Sequence, residues 1–323
     1  MKVAITGANG FVGSSLTRYL MKRNYEVSSL VRKTANVSLL PVKAKVVEID
    51  YSSEESIQSG LADQEIVIHC AALTRADNWD EMKEINVTLT EKVIEAVNKT
   101  GSVRQLIFLS SQAAAGMGSF NKPKTEEEIA QPVTWYGKSK LMAEELIRSR
   151  TQKDWTIVRP VSVYGPGDKD FLQTFKLMKN HLSVSLGIKD KYISLIYIDE
   201  LCQMITKCID NKSALGQVFF ASDGNIYTHK MFADAMQNAV HTFSLHIAVP
   251  DALAFTVSAF GELRNKFQPK SSIFCLQKFK EMQGRFWTVS IDKARRLLGF
   301  EPKPNLTHHL HTTWIWYKEQ GWL

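Results

Sequence analysis

Cysteine is scarce in this chain: four residues in 323, Cys70, Cys202, Cys208 and Cys275, with no Cys-x-x-Cys pair among them. A chain of this length buries enough core to fold without disulfide staples, so the expectation is reduced thiols in a cytosolic compartment. Proline (9) and glycine (17) are also few, and hydrophobic types at 44% outweigh charged types at 23%, which excludes collagen-like, low-complexity and disordered chains. No hydrophobic run is long enough to span a bilayer. The longest, Ile247 to Phe260, carries Pro250 and Asp251 and falls short of the ~20 residues required. It reads as an amphipathic core helix, with a membrane surface or the lining of an apolar pocket as alternatives. The glycine-rich turn begins at Gly7 and leaves no room for the apolar region of a signal peptide, so a cytoplasmic location is expected. A clustered basic patch is missing too. The net charge of +7 comes from 40 Lys and Arg scattered against 33 Asp and Glu, so nucleic acid is not the expected partner, and an anionic small ligand would suit the excess equally. The eight histidines, His308, His309 and His311 included, have no accompanying ligand pattern, and no metal is expected.

What is present is alternation. Apolar, β-rich runs at Val3 to Thr6, Glu26 to Val31, Lys45 to Ile49, Glu65 to Cys70, Gln105 to Ser110 and Trp155 to Arg159 are separated by helical patterns. Those patterns cover Phe11 to Lys22, Glu54 to Leu61, Asp80 to Asn98 and Tyr136 to Arg150. In the third, Ile85, Leu89, Val93, Ile94 and Val97 recur at helical spacing and form one apolar stripe. Right-handed crossovers then lead to an α/β fold, a Rossmann-like doubly wound parallel sheet. After Gly165-Pro166-Gly167-Asp168 the regularity fails. A helix over Phe171 to Asn180, a strand over Tyr192 to Ile196, a helix over Ile198 to Ile209 and a strand over Gln217 to Ala221 are expected. The expected division is a dinucleotide-binding domain over 1–165 and a smaller, discontinuous C-terminal substrate lobe over 166–323, with 197–221 returning to the first domain.

The segment KVAITGANGFVGSSL sets Gly7, Gly10 and Gly13 between an apolar strand and a helix. A turn this tight needs φ > 0, pyrophosphate approaching the backbone excludes a Cβ, and helix N–H groups then meet the phosphates. A dinucleotide is the cofactor this predicts. The second strand ends in Val31, Arg32, Lys33, where an NAD-specific site would carry Asp or Glu for the ribose 2′-hydroxyl. Two cations suit a 2′-phosphate, so NADP(H) is favoured over NAD(H).

In WYGKSK, Tyr136 and Lys140 stand at i, i+4 on one helix face. A phenol is a poor base at neutral pH, but an adjacent ammonium and an oxidised nicotinamide stabilise the phenolate, as acid-base catalysis requires. Ser110 and Ser111 sit at the carboxyl end of a strand, where open α/β sheets bind ligands. The run KPKTEEE over 122–128 reads as a solvated loop beside that strand, with a lid as its functional alternative.

Together, TGANGFVG, HCAALT, INVTLT, LSSQAAAG, YGKSK and RPVSVYGPGD resemble the extended short-chain dehydrogenase/reductases, the group of NAD-dependent epimerases and dehydratases. The resemblance implies that Tyr136 is the acid-base residue, that Lys140 binds the nicotinamide ribose and tunes the tyrosine, and that Ser111 orients the substrate oxygen. It further implies that Gly7, Asn9, Gly10, Phe11, Val12 and Gly13 cradle the cofactor and that Asp50 and Tyr51 lie by the adenine. Ala71, Ala72 and Leu73 would line the cofactor, with Pro160 and Val163 packing on the nicotinamide. For Asn86 two roles stay open, support of backbone or water near Lys140, and local satisfaction within its helix.

Against sugar-nucleotide members of that group, Ser162 stands where Asn is common, and Ser194 and Leu195 where an Arg faces a diphosphate. These departures resemble the 3β-hydroxysteroid dehydrogenase and dihydroflavonol reductase branch. Its apolar alcohol or ketone chemistry would suit the greasy runs Ile247 to Phe260 and Ile273 to Phe279, which fit plain core as well. The first reading is net hydride transfer on such a substrate. The second is a nucleotide-sugar epimerase or dehydratase, with Lys189, Lys191 or Arg285 replacing the missing Arg. The third is a non-catalytic dinucleotide sensor. A homodimer is expected, the stripe on Asp80 to Asn98 pairing with the Tyr136 helix of a second subunit.

Overall fold

The computed structural model describes residues 1–119, 121–187, 189–250 and 283–323; Cys275, the run Ile273 to Phe279 and the part of Ile247 to Phe260 beyond Pro250 lie outside the described residues. The strands are β1 (Lys2–Thr6), β2 (Glu26–Val31), β3 (Lys45–Glu48), β4 (Ile66–His69), β5 (Gln105–Leu109), β6 (Asp154–Pro160), β7 (Ser162–Tyr164), β8 (Leu182–Leu186), β9 (Tyr192–Ile193), β10 (Leu195–Tyr197), β11 (Gln217–Ala221), β12 (Tyr227–Thr228), β13 (Leu245–Val249) and β14 (Phe286–Trp287). The helices are α1 (Phe11–Met21), α2 (Glu54–Gly60), α3 (Trp79–Lys83), α4 (Leu89–Lys99), α5 (Gln112–Ala115), α6 (Trp135–Arg150), α7 (Asp170–Lys179), α8 (Ile198–Cys208), α9 (His229–Val240), α10 (Asp292–Leu298) and α11 (Leu306–Glu319).

Seven strands form one sheet in the order β11-β6-β5-β4-β1-β2-β3, and every neighbouring pair is parallel. Both faces are covered, which is why the strands read as continuous apolar runs rather than alternating ones. Side chains still alternate between two core layers. Val3, Ile5, Ile66, Ile68 and Ile107 join Leu16, Leu20, Leu201 and Ile205 of α1 and α8. Ala4, Val67, Leu106 and Phe108 join Ile57 of α2, Val93 and Ile94 of α4, and Ala143 and Ile147 of α6. Each such Val, Ile, Leu or Phe, fully buried, contributes ~1.5–3 kcal/mol against the entropy of ordering the chain. The order reverses at β1, flanked by β4 and β2, and this switch point opens a crevice at the carboxyl ends of the strands.

Three expectations are corrected here. The helix expected over Asp80 to Asn98 is interrupted by a π-helical turn at Glu84–Thr88, between α3 and α4. Periodicity could not show this, because the extra residue is held by tertiary bonds from Asn86 described below. The apolar stripe expected to meet a second subunit is spent inside the chain: Leu89, Val93, Ile94 and Val97 are buried against the sheet. Finally, KPKTEEE is not a free loop. Lys124 is buried, its Nζ donates to the Ile129 carbonyl at 2.9 Å, and its backbone exchanges bonds with Thr288 and Ser290. Glu126 accepts from the Phe220 N–H at 2.8 Å, and its burial raises the carboxyl above its usual pKa.

β11 lies at the far edge of the main sheet beside β6, and α8 packs on α1. The other late elements make small sheets: β7 with β10, β12-β9-β14, and β8 with β13. Among the described residues no helix is long and apolar enough to cross a membrane.

Candidate active site

The glycine turn sits at the carboxyl end of β1, beside the end of β4, with Thr6 in register with His69. Gly7 has φ +65°, and a Cβ there would stand 2.6 Å from the Ala71 Cα. A Cβ on Gly13 would stand 2.4 Å from the Gly7 carbonyl oxygen. Both positions are therefore glycine because the chain closes on itself. Gly10 differs: a Cβ there would meet only the Gly7 oxygen at 3.3 Å. No side chain caps α1, and its first turn holds no acid. The leading N–H groups and the positive helix end, fronted by an exposed Gly10, thus form a cradle for an anion, and the residues present fit the pyrophosphate of a dinucleotide. Asn9, Phe11 and Val12 line this turn half-buried, and Phe11 reaches the Gly167 loop at 3.5 Å from that glycine's would-be Cβ.

Arg32 and Lys33, just past β2, are both exposed. Tyr51, just past β3, is mostly buried: its hydroxyl accepts the Gly7 N–H at 3.0 Å and donates to the Leu30 carbonyl at 3.1 Å. Burial pushes this phenol up to about 12, so it stays protonated and braces the turn against β2. The Asp50 carboxylate accepts from the Ser52 N–H and hydroxyl at 2.8 and 2.7 Å, bonds that hold its pKa below the usual value.

Past β4 come Ala71, Ala72 and Leu73, with Ala71 pressed against Gly7. Asn86, in the π turn, clamps that segment: its Oδ1 accepts the Leu73 N–H at 2.7 Å, and its Nδ2 donates to the Leu73 carbonyl at 2.8 Å and to Ser139 Oγ at 2.9 Å. Ser139 in turn donates to the Tyr136 carbonyl at 2.8 Å. Asn86 is thus a tie between the β4 loop and the first turn of α6. π turns recur at functional sites for such reasons.

His69 is fully buried between Thr6 Oγ1 (2.6 Å from Nδ1) and Thr90 Oγ1 (3.0 Å from Nε2). Because the Thr90 hydroxyl donates to the Asn86 carbonyl, it can only accept from the ring; Nε2 therefore carries the proton and Nδ1 accepts from Thr6. Burial, aided by the Lys140 charge, lowers this imidazole to about 3, so it is a neutral brace rather than an acid-base group.

Ser111 follows β5 and accepts the Ala113 N–H on its hydroxyl at 3.1 Å. α6 begins beside it, capped by Thr134, whose Oγ1 accepts the Gly137 N–H at 3.1 Å. Tyr136 is half-buried, whereas Lys140, one turn on, is 1% exposed, its Nζ 4.0 Å from the centre of the Phe108 ring. Burial lowers the Lys140 pKa to about 7, with Glu144 and then Cys70 acting in the opposite direction. In this pocket the ammonium is present only up to about neutral pH. Pro160 closes β6, buried, and Val163 lies half-buried in β7.

Several supports were not anticipated from sequence. Glu144, one further turn along α6, is fully buried and accepts from Ser110 Oγ (2.6 Å), Arg159 Nε and an Arg159 Nη (2.8 and 2.7 Å) and Arg148 (2.8 Å). This joins the ends of β5 and β6 to the helix that carries Tyr136 and Lys140. The signal was the i, i+4, i+8 row of Tyr136, Lys140 and Glu144. Gly137 is the second: a Cβ there would stand 2.2 Å from the Ala113 carbonyl oxygen, so only glycine lets α6 press against the turn that holds Ser111.

A dinucleotide cradle, a serine at a strand end and a Tyr-x-x-x-Lys helix converge on one crevice, the arrangement of a nicotinamide-dependent short-chain dehydrogenase/reductase. The chain belongs to the NAD dependent epimerase/dehydratase family, whose model matches residues 3–220, and it is an enzyme of that extended type. It is 31% identical to UDP-glucose 4-epimerase of Vibrio cholerae over 69% of this chain and 71% of that one. It is 26% identical to the decarboxylating sterol-4-alpha-carboxylate 3-dehydrogenase of Dictyostelium discoideum over 94% and 97%. A solved UDP-glucuronic acid 4-epimerase from Bacillus cereus, in complex with UDP-glucuronic acid and NAD, superposes with a TM-score of 0.79 over 99% of this chain and 100% of that one, at 19% identity. That likeness concerns the fold.

Proposed function

We propose that the protein reversibly reduces a carbonyl carried on a largely apolar substrate, using NADP(H), with Tyr136 as the proton donor and acceptor. The bound nicotinamide would supply or take the hydride. The observation that carries this reading is shared position: the Gly7 turn, the Ala71 to Leu73 loop, Ser111 and the first turns of α6 with Tyr136 and Lys140 all follow the carboxyl ends of adjacent parallel strands, β1, β4 and β5. There Ser111 orients the reacting oxygen, the Tyr136 hydroxyl gives or receives its proton, and Lys140 holds the ribose and, when charged, lowers the tyrosine's pKa. Gly7, Asn9, Gly10, Phe11, Val12 and Gly13 hold the pyrophosphate, with Asp50 and the braced Tyr51 on the adenine side. Ala71, Ala72 and Leu73 line the cofactor, and Pro160 and Val163 pack on the nicotinamide.

Two things favour NADP(H) and an apolar substrate over a nucleotide sugar. Arg32 and Lys33 are exposed where a ribose 2′-phosphate would lie, with no carboxylate at the end of β2. One relative that matches along 94% of this chain acts, by its name, on a sterol carboxylate. The proposed division of labour is 1–165 for the cofactor and 166–323 for the substrate, with 197–221 returning to the first. A cytosolic homodimer is the proposed assembly, formed through surfaces other than the buried stripe of α4. The test is NADPH consumption with hydrophobic ketones and aldehydes, compared with sugar-nucleotide interconversion without net cofactor change. Tyr136→Phe should abolish turnover and leave NADPH affinity within a few-fold. Full activity in that variant overturns the reading.

A further inference from the structure

We infer that the β8–β13 ribbon docks the protein onto an anionic lipid surface without crossing it, a property independent of the catalytic reading. The two strands run in parallel with Leu182 opposite Leu245, Ser183 opposite His246, Val184 opposite Ile247 and Ser185 opposite Ala248. Paired residues point to one side and alternate along the strand. One face therefore carries Leu182, Val184, Leu245 and Ile247, and the other the serines, His246 and Ala248. His246 turns to that polar side, with Ser185 Oγ 3.1 Å from its Nε2.

The apolar face stands in water, and on β13 so do His246 and Ala248 of the other face. Leu245 is 65% exposed, Ile247 41% and Val184 40%, and Phe243, leading into β13, is 70% exposed with its ring stacked on His181 at 4.5 Å. Leu177, in the last turn of α7, is exposed as well. A parallel ribbon is ordinarily covered on both faces, and a contiguous bare face of this kind marks an interaction surface.

The rim decides the occupant. Lys176 and Lys179 stand exposed on either side of Leu177. No Asp or Glu occurs from 171 to 187 or from 235 to 249, in a chain with 33 of them. Apolar side chains bordered on the α7 side by two exposed lysines match phosphate headgroups above an acyl layer. A second copy would bring the same lysines together across a two-fold axis and repel. Among the described residues no helix is long and apolar enough to span, and the proposed contact is peripheral.

Co-sedimentation of the full chain with phosphatidylcholine vesicles, with and without one third phosphatidylglycerol, tests this. Binding should require phosphatidylglycerol and weaken with salt. Lys176→Ala should lower affinity about fivefold, and Leu245→Asp with Ile247→Asp more than about tenfold, the cost of an acid and a lost apolar contact. Ile129→Asp, at an exposed apolar residue of the 116–134 segment, should change nothing. Lys176→Ala alters one exposed side chain, so it remains informative should the strand variant fold poorly. No phosphatidylglycerol-dependent binding by the native chain overturns the inference. So does binding that Lys176→Ala and the strand variant leave unchanged, or a native dimer, inert to vesicles, that the strand variant dissociates.

Discussion

Gly137→Ala separates local propensity from tertiary fit. In an exposed helix interior, Ala in place of Gly stabilises by about 1 kcal/mol. Here the new Cβ would lie 2.2 Å from the Ala113 carbonyl oxygen, 2.9 Å from its carbon and 3.1 Å from Pro132 Cβ. The nearest of these is backbone, roughly an ångström inside the closest approach a Cβ makes, so α5 and α6 must separate by that order. Overpacking of this kind costs ~1–3 kcal/mol, which cancels or reverses the propensity gain. The catalytic cost is larger, because α5 follows directly on Ser111 and Tyr136 is the adjacent residue on α6. A misplacement near 1 Å between reacting groups costs about 100-fold. The expected result is a kcat for NADPH-dependent reduction down by about two orders of magnitude, a midpoint of thermal unfolding equal to or below the native one, and NADPH affinity changed little. A variant with native kcat and a raised melting temperature would show that α6 has room to spare and refute the close-approach argument.

Three other outcomes follow from the same geometry. The unfolded chain keeps the Lys140 proton up to about 10.5 while the folded protein releases it near 7, so between those values the unfolded state binds more protons and stability rises with pH, by up to ~1.4 kcal/mol per unit. Lys140→Met should lack that rise when urea midpoints are compared at neutral and alkaline pH; parallel curves for the two proteins would contradict the burial. Arg159→Leu leaves Glu144 buried with Arg148 and Ser110 alone and should destabilise by about 3 kcal/mol, the low end for orphaning a buried charge, measured by urea unfolding. Arg32→Ala combined with Lys33→Ala should weaken NADPH by at least about tenfold and leave NADH within a few-fold by fluorescence titration; equal losses for both cofactors would remove these residues from discrimination.

Much of the first 160 residues was legible because both signals there are local. Strands covered on both faces read as short apolar runs, and Gly7 to Gly13, Tyr136 with Lys140, and Ser111 each lie within one turn or one strand end. What was misread depended on partners distant in sequence. Asn86 breaks its helix into a π turn because Leu73 and Ser139 hold its side chain. The KPKTEEE run is charged, yet Lys124 and Glu126 are anchored by 288–290 and Phe220. The α4 stripe was correctly apolar, but whether it faces a sheet or a second subunit is decided by the layer it packs on.

Period, turn chemistry and helical spacing act over a few residues, and they suffice to set the parallel α/β architecture and the order in which glycine turn, serine and Tyr-Lys pair arrive at the strand ends. It takes the packing of the folded chain to make Gly137 set the distance between two helices, Glu144 tie α6 to β5 and β6, and Lys140 lie deep enough for its charge to depend on pH. Those properties belong to distances and burial between segments far apart in the chain, and no window of sequence contains them.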